Sequence, residues 1–199
     1  MGIDEDKRAT LRRFAAVGAA SPLARFAGDE DGGESEVREA IAGYLATTPG
    51  AHFSKVRDDL KLGTGETQHH LRRLLDEDAV EGARDGDYRR FYPADEFTSF
   101  EQRALGYLRR DTPRGMVLAL LRDPDATGSD LADELGVSPA TVSKYAAQLE
   151  EVGVLSRENG YEVERPETIV TLLVRYADSF DANTVAFAAE AAELLSYDP

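Results

Sequence analysis

The stretch FSKVRDDLKLGTGETQHHLRRLLDEDAV, residues 53–80, decides the fold because its pattern occurs twice in the chain. At an offset of 75 residues it aligns without a gap with GSDLADELGVSPATVSKYAAQLEEVGVL, residues 128–155. Apolar positions coincide, as in the pairs Leu60 with Leu135 and Leu74 with Leu149, whereas the polar positions differ. A shared apolar pattern with divergent polar residues is what two copies of one fold produce.

Each copy contains the same predicted helices. Helical spacing of apolar residues predicts a first helix over 35–47 and 114–122, a second over 54–60 and 129–135, and a third over 65–76 and 139–151. Ser54 and Ser129 are predicted to cap the second helices. Ser138 and Pro139 are predicted to open the last one. The short turn between the second and third helices predicts a helix-turn-helix in each copy.

A β-hairpin is predicted to follow each third helix. Asp85-Gly86 and Asn159-Gly160 are predicted at the hairpin tips, since both dipeptides suit tight turns that need positive φ. Three helices followed by a hairpin make a winged helix. The predicted fold is therefore mainly α with small β-hairpin wings (α+β), comprising two tandem winged helix-turn-helix domains and terminal helices.

The same pattern divides the chain into five predicted segments. They are an N-terminal helix and acidic linker (1–33), winged helix 1 (34–96), a connecting helix (97–112), winged helix 2 (113–165) and C-terminal helices (166–199). Residues 10–28 carry an Arg pair before an Ala/Gly-rich stretch, faintly like a twin-arginine export signal. Pro22 and Arg25 interrupt the apolar run, which favours a helix over 9–20 instead.

The charge composition bears on the partner. The chain has 38 acidic and 23 basic residues, a formal net charge of -15, and only four of the basic residues are lysines. Such acid-rich, lysine-poor compositions resemble those of proteins from salt-accumulating archaea. In molar salt the Debye length is about 3 Å, so distant carboxylates hardly repel a phosphate. An acidic protein that avoids DNA remains the alternative.

Two segments resemble known regulators. SPATVSKYAAQLEEVGVL, residues 138–155, resembles the recognition segment of MarR- and ArsR-type winged-helix regulators. GTGETQHHLRRLLDEDAV, residues 63–80, resembles the variant in archaeal tandem winged-helix regulators, where a histidine precedes Leu-Arg-Arg-Leu. The resemblance spans about 34–165 and implies a DNA-binding regulator. The chain departs from it at Asp78, where many members carry glycine.

The first copy is the better candidate reader of DNA. Its third helix directs polar and basic side chains outward, and its wing carries arginines, with Tyr88 expected to pack beside them. In the second copy the wing region, residues 157–167, carries two Arg but four Glu, which is unfavourable near phosphate. The residues expected to contact double-stranded DNA are Gln68, His69, Arg72, Arg73, Arg84, Arg89 and Arg90 in the first copy, and Thr141, Ser143 and Lys144 in the second.

Other functional classes have little support. His69 and His70 are adjacent, so their side chains diverge by about 100° on a helix and are poorly placed to chelate a metal together. The chain has no cysteine, and it contains no phosphate-binding loop or nucleophile elbow. We therefore expect no metal, no cofactor and no enzymatic activity, and the sequence leaves a small-molecule effector unknown.

The C-terminal helices carry more apolar residues than a small winged helix needs. Ile169, Leu172, Leu173, Tyr176 and Phe180 form a broad apolar face, which predicts a homodimer seam or packing onto the chain's own domain. The sequence as a whole predicts a cytoplasmic, sequence-specific DNA-binding transcriptional regulator, homodimeric and without a membrane partner. The alternative is a tandem winged-helix interaction module that joins a larger complex without contacting DNA.

Overall fold

A computed structural model describes residues 2–19 and 32–195, with side chains described within 5–18 and 36–191. The chain divides into two compact units, residues 1–98 and 99–199. Each unit contains one copy of the repeat.

The first unit is a winged helix with one additional helix before it. Its elements are α1 (Gly2–Ala19), α2 (Gly32–Thr47), β1 (Ala51–His52), α3 (Phe53–Asp59), α4 (Thr64–Asp76), β2 (Val80–Asp85) and β3 (Tyr88–Pro93). The three strands form an antiparallel sheet in the order β1-β3-β2. The short strand β1 adds to the predicted hairpin, which forms the wing.

The second unit repeats this plan with a smaller wing and more helix. Its elements are α5 (Ser99–Leu108), α6 (Asp111–Arg122), α7 (Gly128–Leu135), α8 (Pro139–Glu151), β4 (Leu155–Ser156), β5 (Glu162–Val163), α9 (Pro166–Arg175), a 3-10 turn (Ala177–Ser179) and α10 (Ala182–Leu195). Strands β4 and β5 pair antiparallel.

The structure confirms the repeat and the fold class. Helices α3 and α4 and strand β2 begin 75 residues before α7, α8 and β4, respectively. The paired apolar side chains, among them Leu60, Leu74 and Leu149, are buried. The described chain is mostly helical with two small antiparallel sheets, which makes two tandem winged helix-turn-helix domains.

The predicted helix caps are only partly right. Ser54 and Ser129 lie inside their helices, so that prediction is wrong. Helix α3 is capped by His52, whose Nδ1 accepts the Lys55 N–H at 3.3 Å, and α7 is capped by Thr127. Ser138 caps α8 as predicted, because its Oγ accepts the Thr141 N–H at 3.2 Å.

Two turns also differ from expectation. Asp85 pairs with Tyr88 in the ladder, so the tip of the first wing is Gly86-Asp87 and not Asp85-Gly86. The departure at Asp78 preserves the turn, since Asp78 has φ 52°, close to the φ of 74° at Gly153 in the second copy. Asparagine and aspartate tolerate this left-handed region better than most residues.

Helix α1 begins earlier than predicted and packs closely on α2. At the crossing, a Cβ on Gly43 would lie 1.9 Å from the Phe14 carbonyl oxygen, and one on Gly18 would lie 2.3 Å from the Glu39 carbonyl oxygen. Only glycine permits this backbone approach. Leu11 and Ala15 of α1 join the core of the first unit. The predicted acidic linker falls largely outside the described residues.

The predicted dimer seam is part of the core of the second unit. Ile169 and Leu173 are fully buried, and Leu172 and Tyr176 are at most 4% exposed, in the chain taken alone. Phe180 is half-buried beneath Arg109 and Arg114, whose Cζ atoms lie 4.2 and 5.5 Å from its ring centroid. These residues therefore do not present a free face, because α9 packs against α5 and α10 of the same unit.

Candidate nucleic-acid interface

Helix α4 is divided into a buried and an exposed side. Thr67, His70, Leu71 and Leu74 are buried, whereas the side chains of Gln68, His69 and Arg72 are exposed. This follows from the 3.6-residue period, which places the apolar positions on one stripe. The exposed residues of the first half of α4 thus form a polar surface that also carries positive charge.

The first turn of α4 is anchored by a carboxylate. Glu66 accepts hydrogen bonds from Lys7 Nζ of α1 at 3.0 Å and from the Gly63 N–H at 3.1 Å. Burial raises the pKa of Glu66, but these hydrogen bonds outweigh it, so that the pKa lies below its ordinary value. An ionised Glu66 at the positive end of the helix stabilises α4 and ties α1 to it.

The two adjacent arginines of α4 have different surroundings. Arg73 is half-buried and pairs with Glu77 at 3.6 Å, and the same carboxylate lies 3.5 Å from the buried Arg38. Arg72 is exposed, and no carboxylate among the described residues pairs with it. Arg72 is therefore the more available of the two for an anion.

The first wing brings two exposed arginines directly opposite each other. Arg84 of β2 and Arg89 of β3 are register partners, and neither pairs with a carboxylate in the described structure. The Arg89 guanidinium lies across Gly82, where a Cβ would come within 2.4 Å of its Nε. Like charges opposite each other destabilise a ladder, so this pair favours the binding of an anion.

Arg90 is placed differently from expectation. Successive strand residues point to opposite faces, so Arg90 lies on the other side of the wing from Arg89. It is 3% exposed, donates from Nη1 to the Gly50 carbonyl oxygen at 2.9 Å, and pairs through Nε with Asp85. A guanidinium held in this way stabilises the wing and is not available to DNA.

Sequence reasoning left His52 unplaced, and the sheet register explains its position. β1 pairs with β3 so that His52 is opposite Arg90, and its ring centroid lies 5.1 Å from that of Tyr88, which is 51% exposed. Burial and the nearby cations Arg90 and Lys55 lower the pKa of His52. A neutral imidazole suits its capping role, in which Nδ1 accepts a hydrogen bond.

The second copy offers fewer free cations. On α8, Ser143 and Lys144 are exposed, whereas Thr141 is half-buried and its Oγ1 lies 2.9 Å from Ser138 Oγ. In the wing, Arg157 Nε donates to Glu150 at 2.8 Å. Arg165, at the end of this wing, stacks on Phe100 at 4.4 Å. The arginine of this wing closest to α8 is therefore already neutralised.

The two adjacent histidines do not belong to a larger set of metal ligands. Their ring centroids are 5.1 Å apart, but His70 is buried and His69 is exposed. Within the part of the chain that the structure describes, no group of three or more His, Cys, Asp or Glu residues is placed to hold a metal ion.

Comparison with known families agrees with this architecture. A family model described as an N-terminal HTH domain matches residues 35–105, and a second, described as an HTH domain, matches residues 116–162. No curated protein matches the chain. Among the described residues, none of the helices is both long and apolar enough to span a membrane. The chain thus carries two helix-turn-helix domains, an arrangement typical of DNA-binding transcription regulators.

Proposed function

We propose that this protein is a sequence-specific DNA-binding transcriptional regulator that reads DNA with α4 and the wing of its first winged helix. Gln68 and His69, in the first half of α4, would face base edges in the major groove. Arg72, later on the helix, would contact phosphate, with Arg73 beside it. Arg84 and Arg89 would hold the backbone next to the wing.

The observation that supports this proposal most strongly is the Arg84–Arg89 pair. In a chain of net charge -15, two exposed arginines stand side by side without a carboxylate partner in the described structure. Phosphate oxygens bind guanidinium groups bidentately. A bound DNA backbone would convert the repulsion between the two arginines into attraction.

The contrast between the copies supports the choice of the first one. In the second copy, Ser143 and Lys144 offer a single exposed cation on α8, and Thr141 is half-buried. Arg157 of that wing pairs with Glu150. We propose that α8 is a weaker second reader or a structural partner.

The test measures DNA affinity as a function of salt for Arg84→Gln/Arg89→Gln and for the wild type. Each phosphate contact contributes about 0.9 to the slope of log K against log salt. We expect the double variant to lose about 1.8 in slope. Arg12→Gln/Arg157→Gln is the matched control, because it removes the same charge from arginines paired with Glu36 and Glu150.

Genomic fragments near the gene supply the DNA, in dilute and in molar KCl. A specific complex that Gln68→Ala weakens on the preferred sequence more than on random DNA supports base reading. Equal slopes for the wing variant and the control would refute the proposed role of the wing. No specific complex at any salt, with the protein folded, would favour the interaction-module alternative.

The oligomeric state and setting are part of the same proposal. We propose a homodimer acting in a salt-rich cytoplasm, with half-sites about one helical turn apart. Since the seam expected on α9 is buried, the exposed Val185 of α10 and the small residues beside it are the apolar surface that remains for dimerisation. Sedimentation equilibrium, with Val185→Glu as the variant, tests this.

A further inference from the structure

The described cations of the chain fall into two classes. Many pair with carboxylates, as do Arg12 with Glu36 and Arg157 with Glu150. A second class is exposed and has no carboxylate partner among the described residues. Some of that class lie on α4 and the first wing and belong to the proposed interface. Three others lie on or beside α5 and α9 of the second unit, namely Arg103, Arg165 and Arg175.

Helices α5 and α9 are packed together and run in the same direction. At their beginnings, Arg165 Cζ lies 4.4 Å from the Phe100 ring centroid. At their ends, Arg109 Nη1 donates to the Ser179 carbonyl oxygen at 2.8 Å. Arg103 lies one turn after Phe100 on the exposed side of α5. The two helices thus form one continuous surface, which we call the α5/α9 face.

The α9 side of this face carries hydroxyls between arginines. The half-buried Thr168 and the exposed Thr171 lie between Arg165 and Arg175, at spacings of three or four residues. Residues at this spacing share one side of a helix. Ten residues of helix extend about 15 Å, roughly the length of four nucleotides at 3.4 Å each. Hydroxyls and guanidinium groups are both common phosphate ligands.

The α5/α9 face is positive in an acidic chain. Residues 99–110 and 165–176 together contain five Arg and two Glu, a net charge of +3, although the whole chain has -15. The two carboxylates, Glu101 and Glu167, both lie in the first turn of their helix, where the helix dipole stabilises negative charge. The rest of each helix carries only cations.

Aromatic rings orient several of these guanidinium groups. Arg165 stacks on Phe100, Arg110 Cζ lies 4.6 Å from the Tyr107 ring centroid, and Arg175 Cζ lies 5.3 Å from that of Tyr176. A guanidinium stacked on a ring keeps its N–H groups directed sideways in its own plane, so they remain able to bind a phosphate.

We propose that the α5/α9 face is a second contact surface for the DNA phosphate backbone, separate from the interface of the first copy. It would add affinity without reading sequence, because phosphates are the same at every base pair. Helix α9 lies outside both matched family segments, which end at residues 105 and 162. This inference rests on the proposed function, because it presupposes that the protein binds duplex DNA.

The test uses the full chain with Arg103→Gln/Arg175→Gln, both substitutions being at exposed positions. We expect the slope of log K against log salt to fall by about 1.8, equally on specific and on random duplex, with the selectivity ratio unchanged. Arg103→Lys/Arg175→Lys keeps both charges and should retain the slope. Arg12→Gln/Arg157→Gln is again the matched control. Unchanged urea midpoints verify that each variant is folded.

The outcomes separate this inference from the proposed function. If Arg84→Gln/Arg89→Gln lowers the slope but Arg103→Gln/Arg175→Gln matches the control, the α5/α9 face is not a DNA contact. If Arg103→Gln/Arg175→Gln changes the selectivity ratio, the face reads sequence and the inference is overturned. If no variant, including the wing variant, changes DNA binding, both the proposed function and the inference fail.

Discussion

Replacing Lys61 by glycine is expected to stabilise the first unit by about 1 kcal/mol. Lys61 follows the end of α3 with φ 55°, and the equivalent position of the second copy is Gly136 with φ 63°. The left-handed region costs an L-residue roughly 1–2 kcal/mol, because its Cβ approaches the following carbonyl oxygen. Glycine has no Cβ and avoids this cost.

Two smaller effects reduce the gain. Lys61 Nζ lies 3.4 Å from Asp6 in an exposed ion pair, and exposed pairs contribute about 0.2–1 kcal/mol. Glycine also has more conformational freedom to lose on folding than lysine has. The gain of about 1 kcal/mol corresponds to a rise of roughly 4–8 °C in Tm for a unit of this size.

Lys61→Ala separates the backbone effect from the ion pair. It removes the contact with Asp6 but keeps the Cβ, so the difference between the alanine and glycine variants isolates the left-handed strain. Hydrogen exchange of the buried amides of α2 and β3 measures the free energy of unfolding of the first unit alone. If Lys61→Gly is no more stable than Lys61→Ala, the strain argument is refuted.

Three further predictions test the first unit. Arg90→Met is expected to lower the free energy of unfolding by about 3 kcal/mol, because it leaves a carboxylate of the buried pair without its partner; Arg89→Met, on the exposed face, should change it by less than about 0.5 kcal/mol. Both are measured by urea denaturation. The pKa of His52 is lowered in the folded state from an ordinary value of 6.5. The unfolded chain therefore binds more protons, and stability is fully present above pH 6.5 and lost as the pH falls through the folded pKa; His52→Asn should flatten this part of a urea-midpoint profile. Gly43→Ala should separate α1 from α2 at a cost of roughly 1–3 kcal/mol and expose α1 to protease, whereas Gly65→Ala, with no atom within 4 Å of the new Cβ, should not.

The sequence by itself determined the repeat and the helix-turn-helix pattern. These features depend on local spacing, namely apolar residues at helical periods and the same pattern 75 residues later. The exposed positions Gln68, His69 and Arg72 follow from the same period, since the buried stripe of α4 leaves them on the other side. The departure at Asp78 was also readable, because a residue tolerant of positive φ stands at the position of a glycine.

Tertiary structure alone decided which of the polar and apolar groups are free. Arg89 and Arg90 are neighbours in sequence, but the ladder directs one outward and the other into a buried pair with Asp85. His52 became a cap beside the wing only through the pairing of β1 with β3. The apolar face of α9, expected as a possible seam, is covered by the unit's own helices. In each case the result depends on contacts between residues distant in sequence, which residue spacing along the chain does not specify.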